Sequence, residues 1–547
     1  MSKNHKNLPA DLKRIDISIS DLEAIIERSQ AEPLSEQDCE RLRSVVKTLL
    51  FLTRELEKKG ISIQRLRTLL FGATTEKLQN ILDKALGRGK QQENESGGRD
   101  DSQGNGNEKS KGHGRNGAED YAGAETVHVA HKSLKAGDDC PECRKGAVYE
   151  TAEPGVIVRI TGQAPLKATV YKLQKFRCNL CGTVFTAEPP KDVGNDKYDA
   201  QSASMIALLK YGSGVPFNRL EGLQGSLGIP LPAATQWEIV EAGADRIKPA
   251  FEEMIRQAAQ GQVLHNDDTT MKILAFCNRH DNFVGPGPPA PERTGVSTSG
   301  IISILDGRRI ALFFTGHRHA GENLVAVLKH RASELGRPIQ MCDALSRNMP
   351  KELDTIVANC LAHGRRRFVE VAPNFPDECL HVLEVLKDVY KNDAQAKRQG
   401  MSAQQRLHWH QAQSGPQMAE LKSWLTEQIE QHKVEPNSSL GEAMVYMLKH
   451  WERLTLFLRE PGAPLDNNIC EQALKKAILH RKNAYFYKTQ HGARVGDLFM
   501  SLIHTCELND VNPFDYLTQL QKHTEAAALC PADWMPWNYK QTLTKSP

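Results

Sequence analysis

The chain of 547 residues is 39% hydrophobic and 25% charged, ordinary for globular protein, and is long enough for roughly three to four domains. No apolar run approaches the ~18 to 20 residues that span a bilayer, and the start, MSKNHKNLPADLKR, has no apolar signal region, so a cytoplasmic protein is expected. The net charge of +3 excludes little, but residues 41–70 carry eight Lys or Arg against Glu55 and Glu57, and residues 471–496 carry six against Glu471 alone; such excess suits a phosphate backbone or a solvated helix face.

Leu42, Val45, Leu49, Leu52 and Leu56 follow the spacing of a heptad seam, which resumes at Ile63, Leu66 and Leu70. This reads as a coiled oligomerisation arm or as a helix packed within its own domain. Residues 87–117, rich in Gly, Asn, Ser and charge, have almost nothing apolar to bury and read as a disordered linker.

Twelve cysteines without a secretory signal point to reduced thiols or a metal site. Four of them form two C-x-x-C knuckles, CPEC at Cys140 and Cys143 and CNLC at Cys178 and Cys181. Each knuckle can aim two thiolates at one point, and four thiolates make the usual closed structural zinc site. The segments VIVRITGQ and TVYKLQKFRC read as strands, giving a zinc ribbon whose folding depends on Zn2+. Residues 201–257 then read as two amphipathic helical segments broken at Gly228 to Pro232, either a helix-turn-helix or a plain helical spacer.

From residue 262 the pattern turns to strands. QVLHNDDTTMKIL runs into Asp267 and Asp268, TGVSTSGIISIL and RRIALFFTG continue a meander, AGENLVAVLKHRA is a helix, and PIQMCDAL is a buried strand ending at Asp343. TIVANCLAHGRRRF is a fifth strand entering a helix. This is the element order of a ribonuclease H-like core, in which the first and fourth strands are neighbours, so Asp267 and Asp343 are expected side by side. Taken singly, each acid also reads as a turn former or helix cap.

The helix beginning near LDNNICEQALKKA carries Glu471 among Lys475, Lys476, Arg481 and Lys482. Laid against the sheet, Glu471 completes three carboxylates, the hard oxygen set that a pair of Mg2+ or Mn2+ ions needs, with the cations holding DNA phosphates. The bland reading is an i,i+4 salt bridge to Lys475, contributing a few tenths of a kcal/mol. Cys360 and His363 are spaced C-x-x-H, which suits a strand-to-helix turn or a second metal site.

Over most of its length the chain resembles the transposases of the insertion sequence sixty-six family, large DDE enzymes of bacterial mobile elements. The resemblance is carried by LRTLLFGATTEKL, KGHGRNG, the CPEC and CNLC pair, LHNDDTT, CLAHGRRRF and DNNICEQALKKAILHRKNAYF. It implies Asp267, Asp343 and Glu471 as metal ligands, with Arg481 and Lys482 near bound DNA. Where the family has Asp-Glu-Thr this chain has Asp-Asp-Thr, so Asp267 is preferred and Asp268 stays open.

The expected fold is multidomain α+β, a ribonuclease H-like α/β catalytic core with a helical insertion, an N-terminal helical arm and a zinc ribbon. Expected bounds are 1–85 for the arm, 86–125 for the linker, 126–190 for the ribbon and 191–257 for the helical region. The catalytic domain spans 258–505, with its insertion at about 371–460, and a helical tail covers 506–547. The expected activity is cleavage of element ends and transfer of the 3'-hydroxyls to target DNA. A non-catalytic zinc-containing DNA-binding regulator and a hydrolytic nuclease are the alternatives. Expected partners are double-stranded DNA held by Lys475, Lys476, Arg481, Lys482, Arg365 and Arg366, further copies of the chain, and accessory proteins of the same element.

Overall fold

The computed structural model describes residues 163–177, 184–190, 196–277, 295–349 and 354–545, with short stretches at 25, 33, 35–43, 45–46, 133, 135–139, 141 and 145–149. The heptad positions from Leu49 onward, the linker, the VIVRITG stretch and the four knuckle cysteines lie outside the described residues. The described residues fall into two compact units, one within 91–169 and one made of those from 170 onward with the few before 91. In the smaller unit Asp139 and Ala147 form an antiparallel bridge. In the larger, strand β1 (Lys175–Arg177) pairs antiparallel with β2 (Val184–Thr186).

The larger unit is mixed α/β. Its five-stranded sheet contains β3 (Val263–Thr270), β4 (Ser297–Leu305), β5 (Arg308–Gly316), β6 (Ile339–Cys342) and β7 (Ile356–Asn359) in the order β5-β4-β3-β6-β7. The first three form an antiparallel meander, and β4 turns into β5 through Asp306 and Gly307, whose φ of 48° and 80° give the two-residue hairpin turn that matches strand twist. After the crossover helix α1 (Ala320–Leu328) the chain returns as β6, parallel to β3, and β7 adds parallel to β6. All four residues of β6 are buried, as a strand covered on both faces requires.

The stretch 201–257 forms three helices rather than two, Ala200–Ala207, Phe217–Ser226 and Ala233–Ala258, because Pro216 interrupts the chain as well as Pro232. The 26-residue last one buries Val240, Ala244, Ile247, Met254 and Ala258 and packs on the sheet and on helix Gln490–Leu508.

Helix Gln490–Leu508 also solves the problem of the open edge. Side chains of Asp497, Ser501 and Thr505, four residues apart on one helix face, accept from the backbone N–H groups of Thr315, Phe313 and Ala311 on β5 at 2.6, 2.9 and 3.0 Å. Asn509 accepts from Arg309 N at 3.1 Å, so the outward amides of the edge strand are all occupied.

Helices Pro376–Arg398, Ala403–Gln413, Gly415–Glu430 and Ser439–Lys449 form an insertion whose core is continuous with Val263, Ile339, Met341 and Ala358 of the sheet. No helix among the described residues is long and apolar enough to cross a membrane.

Candidate active site

Successive side chains of a strand point to opposite faces, and β3 uses this to separate two adjacent acids. The Asp268 carboxylate, 3% exposed, accepts from Ser299 Oγ at 2.7 Å and from Ala320 N at 3.1 Å, and lies 3.1 Å from His319 Nδ1. It is an anchor for the start of helix α1. Asp267 faces the other way.

The parallel pairing of β3 with β6 runs from Val263 opposite Ile339 to His265 opposite Met341, and continuing that register sets Asp267 opposite Asp343. The two carboxylates share one donor. Asn348 Nδ2 donates to Asp343 Oδ1 at 2.6 Å and to Asp267 Oδ1 at 3.3 Å. Asn348 is itself fully buried, and its backbone carbonyl accepts from Asn266 Nδ2 at 2.7 Å and from Gln340 Nε2 at 2.8 Å.

Glu471 enters from helix α2 (Asn468–Ala484), in its first turn. Asn467 sets the start of that helix by reaching across the sheet: its Nδ2 donates to Asn266 O at 3.1 Å, its Oδ1 lies 3.1 Å from His265 Nδ1, and its N–H donates to Cys360 Sγ at 3.2 Å. Gly300, opposite Asp267 on β4, permits the close crossing, since a Cβ there would lie 3.0 Å from Leu474 and 3.5 Å from Cys470 Sγ. Glu471 thereby lies close enough to act on Asp267. Burial first, then the negative charges of Asp343, Glu471 and Asp268, push the Asp267 carboxyl up to about 7.

The expected cations divide. Arg366 is 3.4 Å from Glu471, with His363 Nδ1 at 3.7 Å, so Arg366, and not Lys475, is the ion-pair partner of Glu471. Lys476 is committed to Glu507 at 2.8 Å. Arg481 is tied to the end of β3 through Thr269 and Thr270. Lys475 and Lys482 are exposed, and Arg365 is half-buried.

The C-x-x-H pair forms the turn from β7 into helix Leu361–Val371 of the site wall. Cys360, His363 and Glu471 bring one ligand atom each within 4.8 Å of one another. Burial pushes the Cys360 thiol up to about 12, which leaves it a poor thiolate donor.

A family model described as "Transposase IS66 family" matches residues 197–286 and 294–495, more than half of the chain. The chain belongs to the IS66 transposase family. Its members process DNA, so this chain is a DNA-binding, DNA-processing enzyme of that family. Two proteins of Sinorhizobium fredii (strain NBRC 101917 / NGR234) are similar. Uncharacterized protein y4hP is 28% identical over 407 residues, 67% of each chain. Uncharacterized protein y4jD is 24% identical over 416 residues, 73% of this chain and 78% of its own.

The family match includes every residue of the carboxylate group. Asn348 and Asn467, which hold the carboxylates in place, were missed in the sequence. The signals available for them were the polar SRN run after Asp343 and the LDNN run before Glu471.

Proposed function

We propose that the chain is a DDE transposase with a ribonuclease H-like core, in which Asp267, Asp343 and Glu471 hold two divalent cations. The observation that carries this reading is that Asp267 of β3 and Asp343, just past β6, share one buried asparagine while Glu471 from helix α2 lies close enough to act on Asp267. The strand order β5-β4-β3-β6-β7, with its antiparallel meander and two parallel additions, supports the core assignment.

The donor set suits Mg2+ or Mn2+. All the converging groups are hard oxygens, and burial together with the neighbouring negative charges raises Asp267, a state that a divalent cation relieves. Buried Glu471 Oε1 and Asn348 Oδ1 also lack hydrogen-bond partners. Bound there, the cations would supply Lewis acidity toward the attacking and leaving oxygens of a phosphodiester. The chain's own residues fix geometry: Asn348 spaces the two aspartates, Asn467 and Gly300 set the depth of Glu471, and Arg366 limits its swing. Exposed Lys475 and Lys482 offer charge to DNA phosphates.

Structural Zn2+ on Cys140, Cys143, Cys178 and Cys181, and self-association through the N-terminal arm, complete the proposal. Transposition needs two element ends brought together, which the arm would provide.

A strand-transfer assay tests the function. End-labelled duplex from the DNA flanking the gene, incubated with Mg2+ and a plasmid, should yield joined products. Cleavage without joining would mark a hydrolytic nuclease, and binding without cleavage a regulator.

A further inference from the structure

The helical insertion brings positive charge to the carboxylates from the side opposite helix α2. Arg453 Nη1 lies 3.3 Å from Met349 Sδ, and Met349 follows Asn348, whose carboxamide holds Asp343 and Asp267. The segment Trp451–Leu454 packs on β7, whereas helix α2 lies over β3 and β4. The two therefore flank the carboxylates from different strands of the sheet.

Two further cations, Arg367 and Lys449, and the ring of His450 gather at this point. The Arg367 guanidinium covers the Tyr446 ring at 3.9 Å, and the His450 ring lies 4.8 Å from the same ring. Lys449 adjoins His450 in the chain. Partial burial and the charges of Lys449, Arg453 and Arg367 hold His450 below its ordinary value, which places those charges around it.

The group has no acid of its own. Among the described residues no carboxylate forms an ion pair with Arg367, Lys449, His450 or Arg453. The acid within the stretch, Glu452, is engaged by Lys422 at 3.4 Å and Arg459 at 3.3 Å. Cations held near one another with no carboxylate at ion-pair distance favour a polyanion laid beside them. Arg367 and Arg453 are moreover exposed, so their donors are open to a ligand.

We propose that Arg367 of helix Leu361–Val371, with Lys449 and Arg453 of the insertion, forms a phosphate clamp that grips the backbone of a DNA strand as it enters the carboxylate site on the β7 side. This rests on the DNA-processing reading and adds a second contact line to that of Lys475 and Lys482. A strand held on both sides cannot slide across the carboxylates, which is how positioning assists a displacement at phosphorus. Arg367 is stiffened for this by its stack on Tyr446.

The test is the salt dependence of binding by the full chain to a short fluorescein-labelled DNA duplex. Each phosphate contact removed lowers the slope of log K against log salt by about 0.9. The pair Lys449→Gln with Arg453→Gln should therefore flatten the slope by roughly two and weaken binding about tenfold or more at moderate salt. The charge-keeping pair Lys449→Arg with Arg453→Lys should retain the wild-type slope. An unchanged slope in the glutamine pair, or an equal loss in both pairs, would overturn the clamp while leaving the DNA-processing reading intact. A wild-type chain that binds no duplex would remove that reading and the clamp with it.

Discussion

Asp267 and Asp268, neighbours in sequence, point to opposite sides of strand β3: Asp267 shares the Asn348 donor with Asp343, and Asp268 accepts from Ser299 and from the first amide of helix α1. The proposed site uses Asp267 for chemistry and leaves Asp268 to structure, and their variants should separate accordingly.

Asp267→Asn should abolish Mg2+-dependent cleavage and leave thermal stability unchanged or raised, because a crowded, partly desolvated carboxyl is removed. Asp268→Asn should cost about 1–3 kcal/mol of stability by weakening a buried hydrogen-bonded carboxylate, with the folded fraction still cleaving. Thermal melts beside cleavage assays check both. The reverse ranking would move the metal site to Asp268.

Gly300 sets how closely helix α2 crosses β4. Gly300→Val should overpack the crossing, costing about 1–3 kcal/mol and lifting Glu471 out of reach of Asp267. Because the nearest atoms belong to the Leu474 side chain, Leu474→Ala added to Gly300→Val should recover much of the cleavage. Cleavage by the single and double variants, compared at equal folded fraction, is the measurement. Normal cleavage by Gly300→Val alone would show that the crossing depth does not matter.

Asp497 gives a pH signature away from the carboxylate site. Burial pushes its carboxyl up to about 7 from an ordinary 3.8, against the hydrogen bonds from Thr315 that favour the charged form. The folded state thus keeps a proton that the unfolded state releases. Asp497 favours folding at low pH, and this contribution is lost as pH rises from about 4 to about 7. Relative to wild type, Asp497→Asn should therefore gain stability across that window and then level off. Denaturant melts at several pH values test this, and a difference independent of pH would contradict it.

The meander was legible because its strands are apolar and its hairpin carries the Asp-Gly signal. The placement of β6 beside β3 followed from element order alone. The facing of Asp267 and Asp268 was not legible, since VLHNDDTT is buried at its start and polar at its end and shows no alternation to read. Asn348 and Asn467 escaped notice because the contacts that join them to the rest of the site lie far off in sequence: besides Asp343 five residues away, Asn348 reaches Asp267 at 81 residues, and Asn467 reaches His265 at 202. The cations of helix α2 were legible as charge but not as partners: Lys476 and Arg481 are held by Glu507, Thr269 and Thr270, contacts that spacing cannot reveal. The second break before residue 233 was written in Pro216, yet the apolar pattern on either side masked it.

Glu471→Gln tests the three-carboxylate site most directly, because it keeps the side-chain shape and removes the charge that holds a hard cation. Mg2+-dependent cleavage and strand transfer on flanking-end DNA would be measured beside a binding titration. The account predicts that chemistry falls by orders of magnitude while DNA affinity is unchanged or slightly raised, a repelling carboxylate being gone. Cleavage within a few-fold of wild type would contradict it, leaving Glu471 as no more than the ion-pair partner of Arg366.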